Sequence, residues 1–156
     1  MITVYVWLPK QINNQKNVGH ASMLVNGHTY ISWWPDEAAG LGRDFHPIRN
    51  KSFASDVADE GCAPDMMIDL RGLDEDAILN WWEGFGLMRG NLMFQGPLPP
   101  YNLSNQNCST VVATALKKGG GDRYASWYQS WSIVWRPQTL LDYALSIQKA
   151  LASAKK

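Results

Sequence analysis

Asn107-Cys108-Ser109-Thr110-Val111-Val112-Ala113-Thr114-Ala115-Leu116-Lys117-Lys118-Gly119 reads as a helix with both ends marked. Cys108 shares one stripe with Val111, Val112 and Ala115, so it faces the protein body. Asn107 or Asn105 supplies an N-cap, and Gly119-Gly120-Gly121 ends the run after two lysines that suit the negative end of a helix. A thiol at a helix N-terminus meets partial positive charge and N–H groups outside the helical ladder, which favours the thiolate and offers an oxyanion a donor. The competing reading is a buried cysteine acting as a small hydrophobe. A candidate base shifts the balance. His20, His28 and His46 all precede both cysteines, Cys62 and Cys108, so any thiol–imidazole pair here runs histidine first.

Working outward, Val18 to Val25, Asn26-Gly27 and His28 to Trp34 form two β-rich runs about a strong hairpin signal, stopped by Pro35. Ile2 to Leu8 alternates Ile, Val, Val and Leu with Thr, Tyr and Trp, the pattern of a half-buried strand ended by Pro9. Lys10 to Asn17 is polar and reads as a loop. Residues 36 to 64 show little periodicity and much Gly, Pro, Asp and Ser, which predicts a long irregular excursion with one short helical turn. Met66 to Leu70 reads as a short strand, and Asp74 caps a helix through Ile78, Trp81, Trp82 and Phe85. Trp127 to Trp135 resembles one or two strands, and Gln138 to Ala152 a last amphipathic helix. The expected class is α+β.

Composition narrows the function. The 156 residues are 46% hydrophobic with net charge zero, simplest as one domain spanning 1–156, and give no electrostatic argument for nucleic acid or an anionic membrane. Two cysteines without a C-x-x-C or histidine-rich spacing argue against zinc, and no cofactor is implied. The first residues lack a signal-like leader and no apolar run is long enough to span a bilayer. The expectation is a cytoplasmic protein or one exported by a leaderless route, with no stable membrane insertion.

Gly19-His20-Ala21-Ser22-Met23 followed by Asn26-Gly27 and a second strand resembles the histidine hairpin of NlpC-type papain-like hydrolases. Asn107-Cys108-Ser109-Thr110-Val111-Val112 resembles the cysteine helix of their circularly permuted relatives, the lecithin:retinol acyltransferase-like proteins and PPPDE peptidases, in which histidine precedes cysteine. The resemblance implies a helix bearing Cys108 packed on an antiparallel sheet bearing His20. It also implies a third polar residue on the strand after the hairpin, where counting places Ser32. Serine is a departure from the usual His, Asn or Gln, so Asp36, just past Pro35, is an alternative.

Register decides whether Ser32 can serve. A strict two-residue turn sets Trp33 opposite His20, whereas one extra residue brings Ser32 into line. Trp33, Trp34 and Asn107 are candidate substrate contacts, with simple packing the competing reading for the tryptophans. His28 is expected to be solvated beside the turn, and His46 to be structural or substrate-facing. Cys62 precedes Pro64 by two residues with no helix behind it, so it lacks the activating field.

The resulting expectation is a cysteine hydrolase, a peptidase or amidase, that cleaves a peptide, isopeptide or peptidoglycan bond through an acyl-enzyme. A bacterial effector or toxin domain, with an immunity or delivery protein as a partner, fits by analogy. The alternatives are an acyltransferase or transglutaminase-like enzyme using the same dyad, and an inactive binding module.

Overall fold

A computed structural model describes residues 1–12, 14–34, 52–85, 88–89, 92–93 and 107–154. Its centre is a four-stranded antiparallel sheet. Strands β1 (Ile2–Trp7), β4 (His20–Val25), β5 (Thr29–Ile31) and β6 (Met66–Leu70) lie in the order β5-β4-β1-β6. Between β1 and β4, β2 (Lys10–Ile12) and β3 (Gln15–Asn17) pair as a small hairpin turning at Asn14, whose φ is 63°. The polar run expected to be a loop is therefore paired.

All six residues of β1 are buried, not half of them. The strand is central, and both its faces are covered. Ile2, Val4 and Val6 join a core with Val111, Val112 and Leu116 of α3 (Cys108–Lys118) and with Leu140 and Ile147 of a C-terminal helix, Pro137–Ser153. On the other face, Phe53 at the start of α1 (Phe53–Glu60) sets its ring 4.7 Å from that of Tyr5 and 6.3 Å from that of Trp7. α2 (Glu75–Gly84) follows β6, capped by Asp74 as its sequence predicts, and packs against α3. Two-residue strands β7 (Met88–Arg89) and β8 (Leu92–Met93) pair with each other.

Two further expectations are corrected. The excursion before Pro64 contains α1, a full eight-residue helix with a reciprocal Ser52–Ser55 capping box and a left-handed Gly61 at its end. Residues 127 to 135 form a four-residue helix, α4 (Trp127–Ser130), and a turn instead of strands. Strand pairing fails there because Ser126 starts a helical turn and Trp127 and Trp131, one turn apart, project to solvent. The C-terminal helix, α5, begins with Pro at its first position, where a missing N–H costs nothing.

The β4–β5 hairpin sets the site. Asn26 and Gly27 both have positive φ, and Val25 pairs with Thr29, so the connection holds three residues, Asn26, Gly27 and His28, with His28 exposed. The extra residue places Ser32 on the face of Ser22 and His20 and turns Trp33 to the opposite one. β5 is also shorter than the expected His28–Trp34 run.

Candidate active site

His20 opens β4 opposite Trp7 and is only 2% exposed. The preceding Gly19 has φ of +80°, and a Cβ there would lie 2.3 Å from the Trp7 carbonyl oxygen, so the chain reaches His20 by a path that only glycine allows. The imidazole is enclosed on its flanks by Trp34, stacked at 4.4 Å between ring centroids, and by Trp7 at 5.6 Å.

One ring nitrogen is fully engaged. His20 Nε2 lies 3.1 Å from Asp56 Oδ2 and 3.1 Å from Ser32 Oγ. Asp56, with no solvent exposure, is the hub: Oδ2 also accepts from Tyr30 Oη at 2.7 Å and Ser32 Oγ at 2.8 Å, while Oδ1 accepts from Trp34 Nε1 at 2.8 Å. Tyr30 Oη lies 2.6 Å from Ser22 Oγ. A buried carboxylate is costly unless it is paired and hydrogen-bonded, and here every partner is a donor.

Nδ1 is the ring nitrogen that Asp56 and Ser32 leave open, and Cys108 acts electrostatically on the same imidazole. Burial pushes the His20 pKa down, but charge on Cys108 and the bond to Asp56 overcome it and raise the value from 6.5 to about 9. For Asp56, burial acts upward and is outweighed by His20, Tyr30 and Ser32, which hold the carboxyl below its ordinary value. The arrangement therefore favours imidazolium beside carboxylate, and by reciprocity the thiolate beside imidazolium.

Cys108 is the first residue of α3 and 4% exposed. Asn107 is the N-cap: its Oδ1 accepts from Thr110 N at 3.1 Å and its Nδ2 donates to the Trp135 carbonyl at 2.8 Å. The first intrahelical backbone bond runs from Val111 N to Asn107 O, so the Cys108 N–H precedes the helical ladder. A cavity of about 420 Å³ opens on Cys108, bordered by Val18, Gly19, Trp135, Lys16 and Arg136.

One expected role changes. Trp33 is 1% exposed and packs edge-on against Phe85 at 5.7 Å, so it belongs to the core and not to a substrate surface. Trp34 donates to Asp56 and stacks on His20. The Asn107 side chain binds the helix start and the Trp135 carbonyl, and the residue borders the Cys108 cavity. Asp36 and His46 lie outside the described residues. Cys62 follows the end of α1, with its sulfur 3.7 Å from the Glu60 carbonyl.

Asp56 was not among the sequence candidates, because the segment around it carries no strong periodicity. A signal was present: Ser52 and Gly61 bracket a helix that puts Asp56 and Glu60 one turn apart on one face, and both are buried. Among the described residues no cluster of three or more His, Cys, Asp or Glu side chains is placed to hold a metal ion, and no helix is long and apolar enough to cross a membrane.

Comparison with known proteins adds a lineage to this geometry. The chain is 32% identical over 102 residues to a multifunctional-autoprocessing repeats-in-toxin protein of Vibrio vulnificus and 30% identical over 102 residues to its counterpart in Vibrio cholerae. Each match covers 64% of this chain and 2% of the toxin's length. No solved structure matches. The family model of the IcsB middle domain matches residues 41–156, a stretch that contains Asp56 and Cys108, with His20 and Ser32 lying before it. Because that match covers well over half of the 156 residues, this chain belongs to the IcsB middle domain family.

Proposed function

We propose that this chain is a bacterial toxin or effector domain that performs acyl chemistry through a thioester on Cys108. The observation that carries the reading is the buried His20 held by Asp56, with Ser32 and Tyr30 completing the carboxylate and Cys108 raising the pKa of the same ring. The Vibrio toxin similarity supports the biological setting. The papain-like resemblance of the His20 hairpin and the Cys108 helix supports the chemistry.

In this reading His20 Nδ1 takes the thiol proton, and sulfur attacks the substrate carbonyl carbon. The tetrahedral oxyanion is stabilised by the Cys108 N–H at the positive end of α3. Imidazolium then protonates the leaving group as its bond to the carbonyl breaks, leaving an S-acyl enzyme. A second nucleophile gives its proton to His20, attacks the thioester and releases Cys108 as thiolate. Water as that nucleophile makes the domain a peptidase or amidase. An amine or hydroxyl of a target protein makes it an acyltransferase.

Incubating the protein with a fluorogenic acyl thioester and measuring intact mass tests the common step. One acyl addition at Cys108, absent in Cys108→Ala, is expected. Release of the leaving group at the same rate by Cys108→Ala would overturn the reading. Adding a peptide amine or water alone then assigns the branch.

A further inference from the structure

Two cations border the cavity at Cys108, Lys16 from β3 and Arg136 at the N-cap of α5, and among the described residues no acidic one lines it. Both side chains are exposed. Two other lysines are matched: Lys10 lies 2.9 Å from Asp65, and Lys117 4.0 Å from Asp122. Among the described residues neither Lys16 nor Arg136 has a carboxylate partner. In a chain of net charge zero, that local excess is a feature of the site and not of composition.

The backbone on which each cation stands is tied to the dyad. Asn17, next to Lys16, accepts from Gly19 N at 2.7 Å and donates to the buried Glu60 at 2.7 Å, which fixes the approach to His20. Trp135, next to Arg136, gives its carbonyl to Asn107, the cap of the Cys108 helix. The N-termini of α3 and α5 both meet this cavity, adding two dipole ends of the same sign.

We propose that Lys16 and Arg136 recognise an anionic group, phosphate or carboxylate, on the substrate that acylates Cys108. The inference rests on the acyl-enzyme reading and adds to it the charge of the substrate. Arg136 offers a planar fork of donors and Lys16 a point charge, a combination suited to a multi-oxygen anion.

Four aryl thioesters that share one neutral acyl group test this, with thiophenol leaving groups that are uncharged or bear a carboxylate, a phosphate or a trimethylammonium. The readout is kcat/KM for acylation of Cys108, each charged ester expressed relative to the uncharged one. In the native protein at low salt the anionic esters should be favoured by about three- to tenfold, the range of partly exposed charge-assisted contacts. The ratio should fall toward one in Lys16→Gln/Arg136→Gln, and invert in favour of the cationic ester in Lys16→Glu/Arg136→Glu. A larger ratio for phosphate than for carboxylate assigns the anion. Cys108 acylation at equal rates by all four esters in the native protein would overturn the proposal while leaving the acyl-enzyme reading intact. No acylation by any of them would overturn both.

Discussion

The two sides of the His20 ring are built on opposite plans. On the Nε2 side Asp56 gathers four donors from β4, β5 and the residues just after β5, in a space with no solvent exposure. On the sulfur side the Cys108 helix opens onto a cavity whose cations have no carboxylate partners among the described residues. The difference teaches where precision is stored. The carboxylate side fixes ring position and tautomer, and the thiol side keeps its capacity for whatever binds.

The largest effect should come from removing the sulfur or the imidazole. Cys108→Ala and His20→Ala should each lower acylation by about 10⁴-fold or more, with near-additive loss absent in the double variant because the two act as one unit. Folding should survive Cys108→Ala, since one sulfur at a helix start carries few contacts. Additive losses measured in single-turnover assays would mean that the residues act separately.

Next comes Asp56→Asn. Oδ2 takes three donors and Oδ1 a fourth, so an amide must turn its NH₂ toward a donor whichever way it is placed. The unmet pairing should cost about 1–3 kcal/mol of stability. Activity should fall by about 10²- to 10⁴-fold, because the imidazole loses the partner that sets its tautomer. Denaturant midpoints together with kcat separate the two effects. A variant with native turnover would remove Asp56 from the machinery.

The pH dependence of stability sharpens the same contrast. The folded-state pKa of His20 is raised above its unfolded value, so its contribution is complete below about pH 6.5 and is lost as pH climbs through about 9. Asp56 is depressed, so its contribution is present above the ordinary carboxyl range and lost on acidification. A Cys108 held as thiolate acts in the opposite sense over the same range, so native unfolding free energy should change little between about pH 6.5 and 8.5, and Cys108→Ala should expose the His20 decline. A variant profile as flat as the native one would contradict that balance.

A smaller effect is expected of Ser32→Ala. It removes one donor of four, so turnover should drop several-fold, matching the roughly 1 kcal/mol of a single hydrogen bond. Cys62→Ala should stay within about twofold of the native protein, because no helix start or imidazole activates that sulfur. A dead Cys62 variant would reverse the nucleophile assignment.

What was legible in the sequence was what local chemistry determines. The caps at Asp74 and Asn107, the Asn26-Gly27 turn and the strand at Ile2 each need only a few neighbouring residues, and each appears where it was read, although β1 is buried on both faces and not on one. Even the register question was posed correctly by the hairpin, and the third loop residue answered it in favour of Ser32. Asp56 was hidden because its role arises from contacts 22 to 36 residues back along the chain, with Trp34, Ser32, Tyr30 and His20. Aromatic content misled twice. Trp33 went inward, and Trp127 and Trp131, which look like strand residues, stand exposed around a helical turn.

The most direct test of the Cys108–His20–Asp56 line is the pH profile of iodoacetamide alkylation, resolved by mass spectrometry into Cys108 and Cys62, in the native protein, His20→Ala and Asp56→Asn. The account predicts that native Cys108 reacts with an inflection below the ordinary thiol value of about 8.5, and that both variants move it upward and slow labelling at neutral pH. Superimposable Cys108 profiles in all three proteins, or faster labelling of Cys62, would contradict it.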